Sequence, residues 1–238
     1  YYGLINHIDD QIHRLFMPPA GVPADVPGNT VFGFVSDHGE MLGDHYLFRK
    51  TYPYEGSARV PLMFTGPGVK PGVVCNTPVH QADLMPTFLE LAGVPVPASC
   101  DGLSLAPILR GEAVELDRDA LHGEHGFAYR DAQCYHSLTD GRQKYIWFSQ
   151  TGIEQLFDMD RDPQELTDLA DDPSCKDQLK QWRQRLIHRL TGRGEGFTDG
   201  KQLIPGREHG AFLPHLVEAQ QAALEANRQS AAGRAPPI

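Results

Sequence analysis

Of the chain's 238 residues, 40% are hydrophobic, enough to build a buried core, which excludes a disordered protein. Its 31 Asp and Glu outweigh 21 Lys and Arg for a formal charge of −10, which argues against a nucleic-acid surface, because phosphate binding relies on clustered Lys and Arg. No run of about 18 or more apolar residues occurs, so nothing in the sequence reads as a membrane span; the four cysteines lack CxxC or Cys/His spacing, offer neither a zinc site nor a disulfide framework, and are expected as buried free thiols.

In chain order, Leu4, Ile5, Ile8, Ile12, Leu15 and Phe16 recur at helical spacing and predict a helix whose apolar stripe can pack on a sheet, ending before Pro18-Pro19. Residues 17–29, rich in Pro and Gly, read as a loop. Thr30 to Val35 is a short apolar run with β-branched residues, expected as a strand buried on both faces. Residues 37–58 form a long polar excursion, and a loop of that length inside a compact domain is more often functional than incidental. Val60 to Thr65 predicts a second buried strand, closed by Gly66-Pro67-Gly68. Asp83 to Leu91 predicts a helix that tolerates Pro86 in its first turn and stops at Gly93.

From about Leu121 the pattern changes. Ala120–Gly126, Gln133–Thr139 and Lys144–Ser149, punctuated by turn signals such as Asp140-Gly141, read as an antiparallel meander. Leu179–Leu190 is expected as a charged amphipathic helix, Leu213–Gln229 as another, and Gly233–Ile238 as a frayed end. A weakly patterned acidic stretch from Arg110 to Asp119 separates the two styles, so the expected division is 1–115 and 116–238.

Asp37 and His38 fall at the carboxyl end of the first predicted strand, where open α/β sheets place their ligands. Neighbours on a strand face opposite ways, so both reach one ion only through a sharp turn, which Gly39 permits. Taken alone, Asp-His-Gly reads more readily as a turn with a satisfied histidine. Set between the strand and the segment from Lys50 to Pro61, it reads as a metal pair with an ammonium sent back toward it, a combination suited to an anionic ester. Asp37 is a hard oxygen donor fit for calcium, magnesium or manganese, and His38 shifts the balance away from pure calcium chemistry. Glu55 and Arg59 are expected to form a buried or half-buried ion pair bracing the loop. His45 reads equally as substrate-facing or as a surface residue, and His80 as a capping or packing residue.

Val35-Ser36-Asp37-His38-Gly39-Glu40, followed by Lys50 and Tyr54-Glu55-Gly56-Ser57-Ala58-Arg59-Val60-Pro61, resembles the sulfatases of the alkaline-phosphatase-like superfamily. Tyr1 to Ile12, His80-Gln81-Ala82-Asp83-Leu84-Met85-Pro86-Thr87, Asp101 to Leu109, and Glu154 to Met159 leading into Asp162-Pro163-Gln164-Glu165-Leu166 are similar to further parts of that family, in its usual order. The resemblance runs from about Tyr1 to about Leu190. It implies an α/β fold, an alkaline-phosphatase-like sheet sandwiched by helices and present in part, followed by a small subdomain of antiparallel sheet plus helix. It further implies one divalent metal ion (Ca2+, or Mg2+/Mn2+) on Asp37 and His38, a catalytic Lys50 contacting sulfate, and a small-molecule sulfate ester as the partner. His45 and His125 are the candidate substrate contacts, with Glu55 and Arg59 supporting the loop from behind.

The Cys-x-Pro-x-Arg or Ser-x-Pro-x-Arg motif whose first residue becomes formylglycine is absent, Cys75-Asn76-Thr77-Pro78 having the wrong spacing and no arginine. The chain also begins without Met, inside a predicted helix. The expectation is therefore the C-terminal portion of a sulfuric ester hydrolase, inactive by itself, with nucleophile and any signal peptide on a preceding part; cytoplasm and periplasm both stay open. The alternatives are a phosphonate monoester or phosphodiester hydrolase of the same superfamily, and a non-catalytic binding module.

Overall fold

The computed structural model describes residues 1–17, 28–126 and 130–209; the helix expected over Leu213–Gln229 and the end at Gly233–Ile238 lie outside them. The elements in order are α1 (Tyr2–Phe16), β1 (Phe32–Val35), the one-turn α2 (Glu55–Ala58), β2 (Leu62–Thr65), α3 (Leu84–Leu91), the one-turn α4 (Ala106–Leu109), β3 (Leu121–His125), β4 (Tyr135–Thr139), β5 (Gln143–Phe148), β6 (Glu154–Asp158) and α5 (Lys176–Leu190). None of the described helices is long and apolar enough to cross a membrane. They group into two compact units that interleave along the sequence: one of Tyr1–Asp37, Pro61–Asn76 and His80–Leu116, the other of His38–Val60, Thr77–Val79 and the chain from Asp117 on.

In the first unit β1 and β2 pair antiparallel, Phe32 opposite Thr65 and Val35 opposite Leu62. Neither strand is buried as the apolar runs predict: β1 is half-buried throughout, and β2 alternates half-buried with exposed. Two strands alone have too little surface to cover both of their faces. Gly33 has a packing reason, since a Cβ there would lie 2.8 Å from the Phe88 ring of α3. α1 forms where the stripe predicts it, yet Leu4, Ile5 and Ile8 are exposed, and at its far end Phe16 meets Phe32 of β1 edge to face at 5.0 Å. α3 carries Pro86 in its first turn and ends before Gly93, whose φ of 70° only glycine adopts freely.

In the second unit β3, β4, β5 and β6 form the predicted meander in sequence order, with one strand more than the pattern announced: Glu154–Asp158 pairs with β5 rather than leading straight to a helix. Asp140-Gly141 makes the β4–β5 turn, Gly141 at φ 91° and Asp140 Oδ1 accepting from the amides of Arg142 (2.9 Å) and Gln143 (2.8 Å). Side chains alternate across the sheet. Leu138, Tyr145, Trp147 and Leu156 on one face meet Leu179, Trp182, Leu186 and Leu190 of α5 and Phe197. Each large apolar side chain buried there contributes about 1.5–3 kcal/mol relative to exposure. Polar ties fix the helix on the sheet: Trp182 Nε1 donates to Gln143 Oε1 (2.6 Å), and Arg183 grips Glu154 with two 2.6 Å hydrogen bonds.

A buried imidazole lies in this core. His136 stacks on Trp147 (5.9 Å) and His209 (5.4 Å) and meets Phe197 edge-on (4.8 Å). Burial, with the imidazoles of His122 and His209 next, pushes its pKa down to about 2. An unfolded histidine takes up its proton near pH 6.5, whereas the folded one stays neutral until about pH 2. The unfolded state therefore binds more protons across that window, and stability falls as the pH drops through it. Moving from pH 7 to pH 5 is expected to remove about 2 kcal/mol through this group, read as a lower urea midpoint. His136→Phe should flatten the dependence; a wild-type midpoint unchanged between those pH values would contradict the assignment.

Candidate active site

Asp37, two residues past β1, closes the first segment of the first unit, and its backbone is clamped. Gln81 donates its side-chain amide to the carbonyls of Ser36 (2.9 Å) and Asp37 (2.7 Å). Gln81 opens a 3-10 turn (Gln81–Asp83) closed by a capping box: the His80 amide donates to Asp83 Oδ2 (2.9 Å), and the His80 ring lies 3.3 Å from Oδ1. His80 is thus the capping residue expected. Fully buried Asp83 also accepts from the Leu103 amide (2.8 Å), and the Thr87 hydroxyl donates to the Asp83 carbonyl (2.6 Å) while accepting from the Leu105 amide (2.8 Å). Gly102 allows the approach, because a Cβ there would sit 2.1 Å from the Ala82 carbonyl oxygen. The segments His80–Thr87 and Asp101–Leu109 thereby form one brace whose free-standing product is the position of Gln81, and through it the end of β1.

His38 opens the second unit. Its Nδ1 lies 2.8 Å from the Gly39 carbonyl, an acceptor only, so Nδ1 carries the proton and Nε2 the lone pair. Metal-binding histidines are oriented in this way, donating one ring N–H to a carbonyl and presenting the other nitrogen. Both Asp37 and His38 are exposed. Gly39 is required for a different reason from the one expected: its φ is not left-handed, but a Cβ would meet the Gly56 carbonyl oxygen at 2.2 Å, while its amide donates to Ser57 O (2.8 Å). Glycine here serves close approach of two backbones rather than a turn.

The loop between these contacts holds unusual backbone. Leu42, His45, Tyr46, Arg49 and Thr51 all have φ between 48° and 81°. Each such non-glycine residue costs of the order of 1 kcal/mol, and strain of this kind persists only where surroundings over-determine it. Those surroundings are visible: buried Met41 has its amide on Arg49 O (2.8 Å), Gly43 donates to Leu47 O (2.8 Å), and Glu40 Oε1 accepts from the Arg49 amide. Half-buried Lys50 sits between the two left-handed residues Arg49 and Thr51. His45 is engaged within the unit, its Nε2 3.1 Å from Gln164 O and its ring stacked on Tyr54 at 4.3 Å.

The loop's outgoing limb is anchored by a residue that sequence reasoning passed over. Lys144 of β5, almost fully buried, donates to Glu55 Oε1 (2.6 Å), Glu165 Oε1 (2.7 Å) and the Pro53 carbonyl (3.1 Å). Glu165, itself buried and held at φ 58°, turns its other oxygen to the Glu55 amide at 2.6 Å. Tyr54 follows, its hydroxyl on Gln155 (2.9 Å) and its ring edge-on to Phe157; burial raises its pKa. The brace expected between Glu55 and Arg59 is corrected accordingly: Arg59 reaches Glu55 only at 3.7 Å and its side chain is 77% exposed. A lone lysine in an apolar strand pattern gave no sign of its partners, since Pro53 and Glu165 lie 91 and 21 residues away. The sequence signal for Glu165 was its place in the family-like segment Asp162-Pro163-Gln164-Glu165-Leu166.

The sheet separates the remaining histidines. His125 lies opposite Tyr135, with ring centroids 5.9 Å apart, on the face that also carries Ile146, Phe157 and, packed against them, Tyr54. His122 has the opposite parity and belongs to the face of His136 and α5. Of these two, His125 shares the loop's side of the sheet.

The family model described as N-sulphoglucosamine sulphohydrolase, C-terminal, matches residues 43–191. The chain is 44% identical over 210 residues to an arylsulfatase of Clostridium perfringens, covering 87% of this chain and 42% of that one. It is 37% identical over 179 residues to a choline-sulfatase of Rhizobium meliloti, covering 73% and 33%. Its structure resembles the crystal structure of a phosphonate monoester hydrolase of Agrobacterium radiobacter with a TM-score of 0.65, at 29% identity, covering 79% of this chain and 40% of that one. The chain spans less than half the length of each of these relatives. By the match over residues 43–191, the chain belongs to the sulfatase family and carries its C-terminal domain.

Proposed function

We propose that the full-length protein is a metal-dependent sulfatase that hydrolyses sulfate esters and that this chain contributes one wall of its active site. The observation that carries the reading is the strained, heavily tied loop around Lys50, since backbone cost of this kind collects where a side chain must be held for chemistry. Asp37 and His38, consecutive in the chain, fit a divalent cation: a carboxylate on a clamped backbone, and an imidazole in the ligating tautomer. A bound cation would supply Lewis-acid polarisation of a sulfate oxygen. The formylglycine used by such enzymes would lie outside this chain, which lacks its motif.

Lys50 holds a fixed positive charge for the sulfuryl oxygens, on which negative charge gathers as the ester bond breaks; a charge already in place stabilises it without solvent reorganisation. Glu55, carried by Lys144, sets the loop's outgoing limb, with exposed Arg59 at its margin. His45 and His125 are the substrate-side candidates, His125 on the sheet face shared with Tyr54.

A second reading, a phosphonate monoester hydrolase, is favoured by the likeness to that enzyme of Agrobacterium radiobacter, because a metal and an ammonium also suit tetrahedral phosphorus. Initial rates of the full-length protein on one aryl sulfate and the matching aryl phosphonate monoester separate the two. The sulfatase reading expects a higher kcat/KM on the sulfate; a large preference for the phosphonate overturns it.

A further inference from the structure

We propose that His122, Glu124 and His136 form a zinc-type divalent cation site in the meander, separate from the pair Asp37 and His38. Strand parity places the three together. His122 and Glu124 are two apart on β3 and so share a face, and Glu124 lies directly opposite His136 on β4. His122 Nε2 is 3.2 Å from His136 Nδ1, His136 Nδ1 is 3.5 Å from Glu124 Oε2, and one donor atom from each residue falls within 4.8 Å of the others. Ligands about 2.0–2.2 Å from a tetrahedral zinc stand roughly 3.3–3.5 Å apart, so these two separations are near the edges of such a polyhedron.

The electrostatics agree. Burial holds His122 and His136 in the neutral form that ligates metals. Two carboxylates, Glu124 and Glu195, share one guanidinium, Arg193, at 2.5 Å each, which leaves the immediate cluster one negative charge in surplus. Arg189, the next cation out, shares Asp119 with Arg185, and His209 turns its Nε2 to the Ser149 hydroxyl (3.0 Å). A carboxylate has lone pairs enough to serve Arg193 and a cation together.

Hydrogen bonding alone does not complete the cluster, because among the described residues fully buried His136 has no partner for Nε2. With its proton on Nδ1, a bare lone pair is buried at Nε2. With the proton on Nε2, the Nδ1 lone pair faces His122 Nε2 at 3.2 Å and the Glu124 carboxylate at 3.5 Å, three donor atoms that a cation between them would share. Access exists: β3 is an edge strand of the sheet, and the Glu124 side chain is 34% exposed. Three protein ligands leave a fourth position for water, as in His2Glu zinc centres.

The test uses Co2+ alone, titrated into the full chain carrying Asp37→Ala and His38→Ala so that the other candidate ligands are gone. One equivalent is expected to bind with the visible absorption of a four-coordinate centre and to be displaced by Zn2+. His122→Gln and Glu124→Gln, both at positions that tolerate a polar amide, should each weaken binding by at least about tenfold. His136→Ala is avoided because it opens the core. Absence of stoichiometric binding, an octahedral spectrum, or binding unchanged in both variants would overturn the site.

Discussion

Replacing Lys144 with alanine is expected to destabilise the chain by about 3–5 kcal/mol, because it strands Glu165 and Glu55 as carboxylates without their shared cation. Charge burial is costly, so what is lost exceeds the net worth of the ion pair. Arg59→Ala, which removes the other cation near Glu55, should cost less than about 1 kcal/mol, since that pair is long and solvent-exposed. Urea denaturation reads both numbers. Limited proteolysis adds a local signal: Lys144→Ala should expose the limb from Pro53 to Glu55 to cleavage, while Arg59→Ala should not. The double variant Lys144→Met with Glu165→Gln should recover part of the loss by removing the uncompensated charge. Equal losses for Lys144→Ala and Arg59→Ala would mean that the buried lysine does not anchor the loop.

Lys50→Ala in the full-length protein is expected to lower kcat/KM for an aryl sulfate by about 10²–10³, the scale for removing one preorganised group that faces developing charge. The loss should fall mainly on kcat, because charge on the sulfuryl oxygens grows toward the transition state. Lys50→Arg should rescue poorly, as a planar fork does not replace a compact ammonium at one point. Thermal stability should hardly move, since Lys50 is half-buried and outside the Lys144 network. Activity within about threefold of the parent would remove Lys50 from the catalytic machinery.

The two variants probe different levels of one construction. Lys144 acts through the loop it carries, so its loss should show first in stability and protease sensitivity. In the proposed function Lys50 acts on the anion itself, so its loss should show in turnover with the fold intact. The same separation explains the strained residues from Leu42 to Thr51. Their backbone energy is tolerated because Glu40, Met41, His45 and Glu55 all have fixed partners within the unit.

The three longer helices and three of the four meander strands were legible from local period and turn chemistry: the stripe of α1, Pro86 and Gly93 around α3, Asp140-Gly141 between β4 and β5, and the apolar positions of α5. Their spacing depends on neighbours within a few residues, which is why a sequence displays it. Asp37, His38 and Lys50 were singled out for another reason: they lie in one continuous segment whose order resembles the family's, and their roles belong to the proposed function. Burial was harder to read. The apolar run of β1 predicts cover on both faces, but cover is a property of what packs on a strand, and in this unit β1 is half-buried.

By itself, then, the amino-acid order determined the longer elements, the acidic character, and the succession of a carboxylate, an imidazole and an ammonium between residues 37 and 50. Tertiary structure alone decided which charges meet. Lys144 finds Pro53 and Glu165, Gln81 finds the carbonyls at 36 and 37, and His136 finds Glu124 across a strand pair, at separations from 12 to 91 residues. No local pattern encodes such meetings, because they follow from strand register and from the need of every buried charge for a partner, conditions that exist only once the chain has closed on itself.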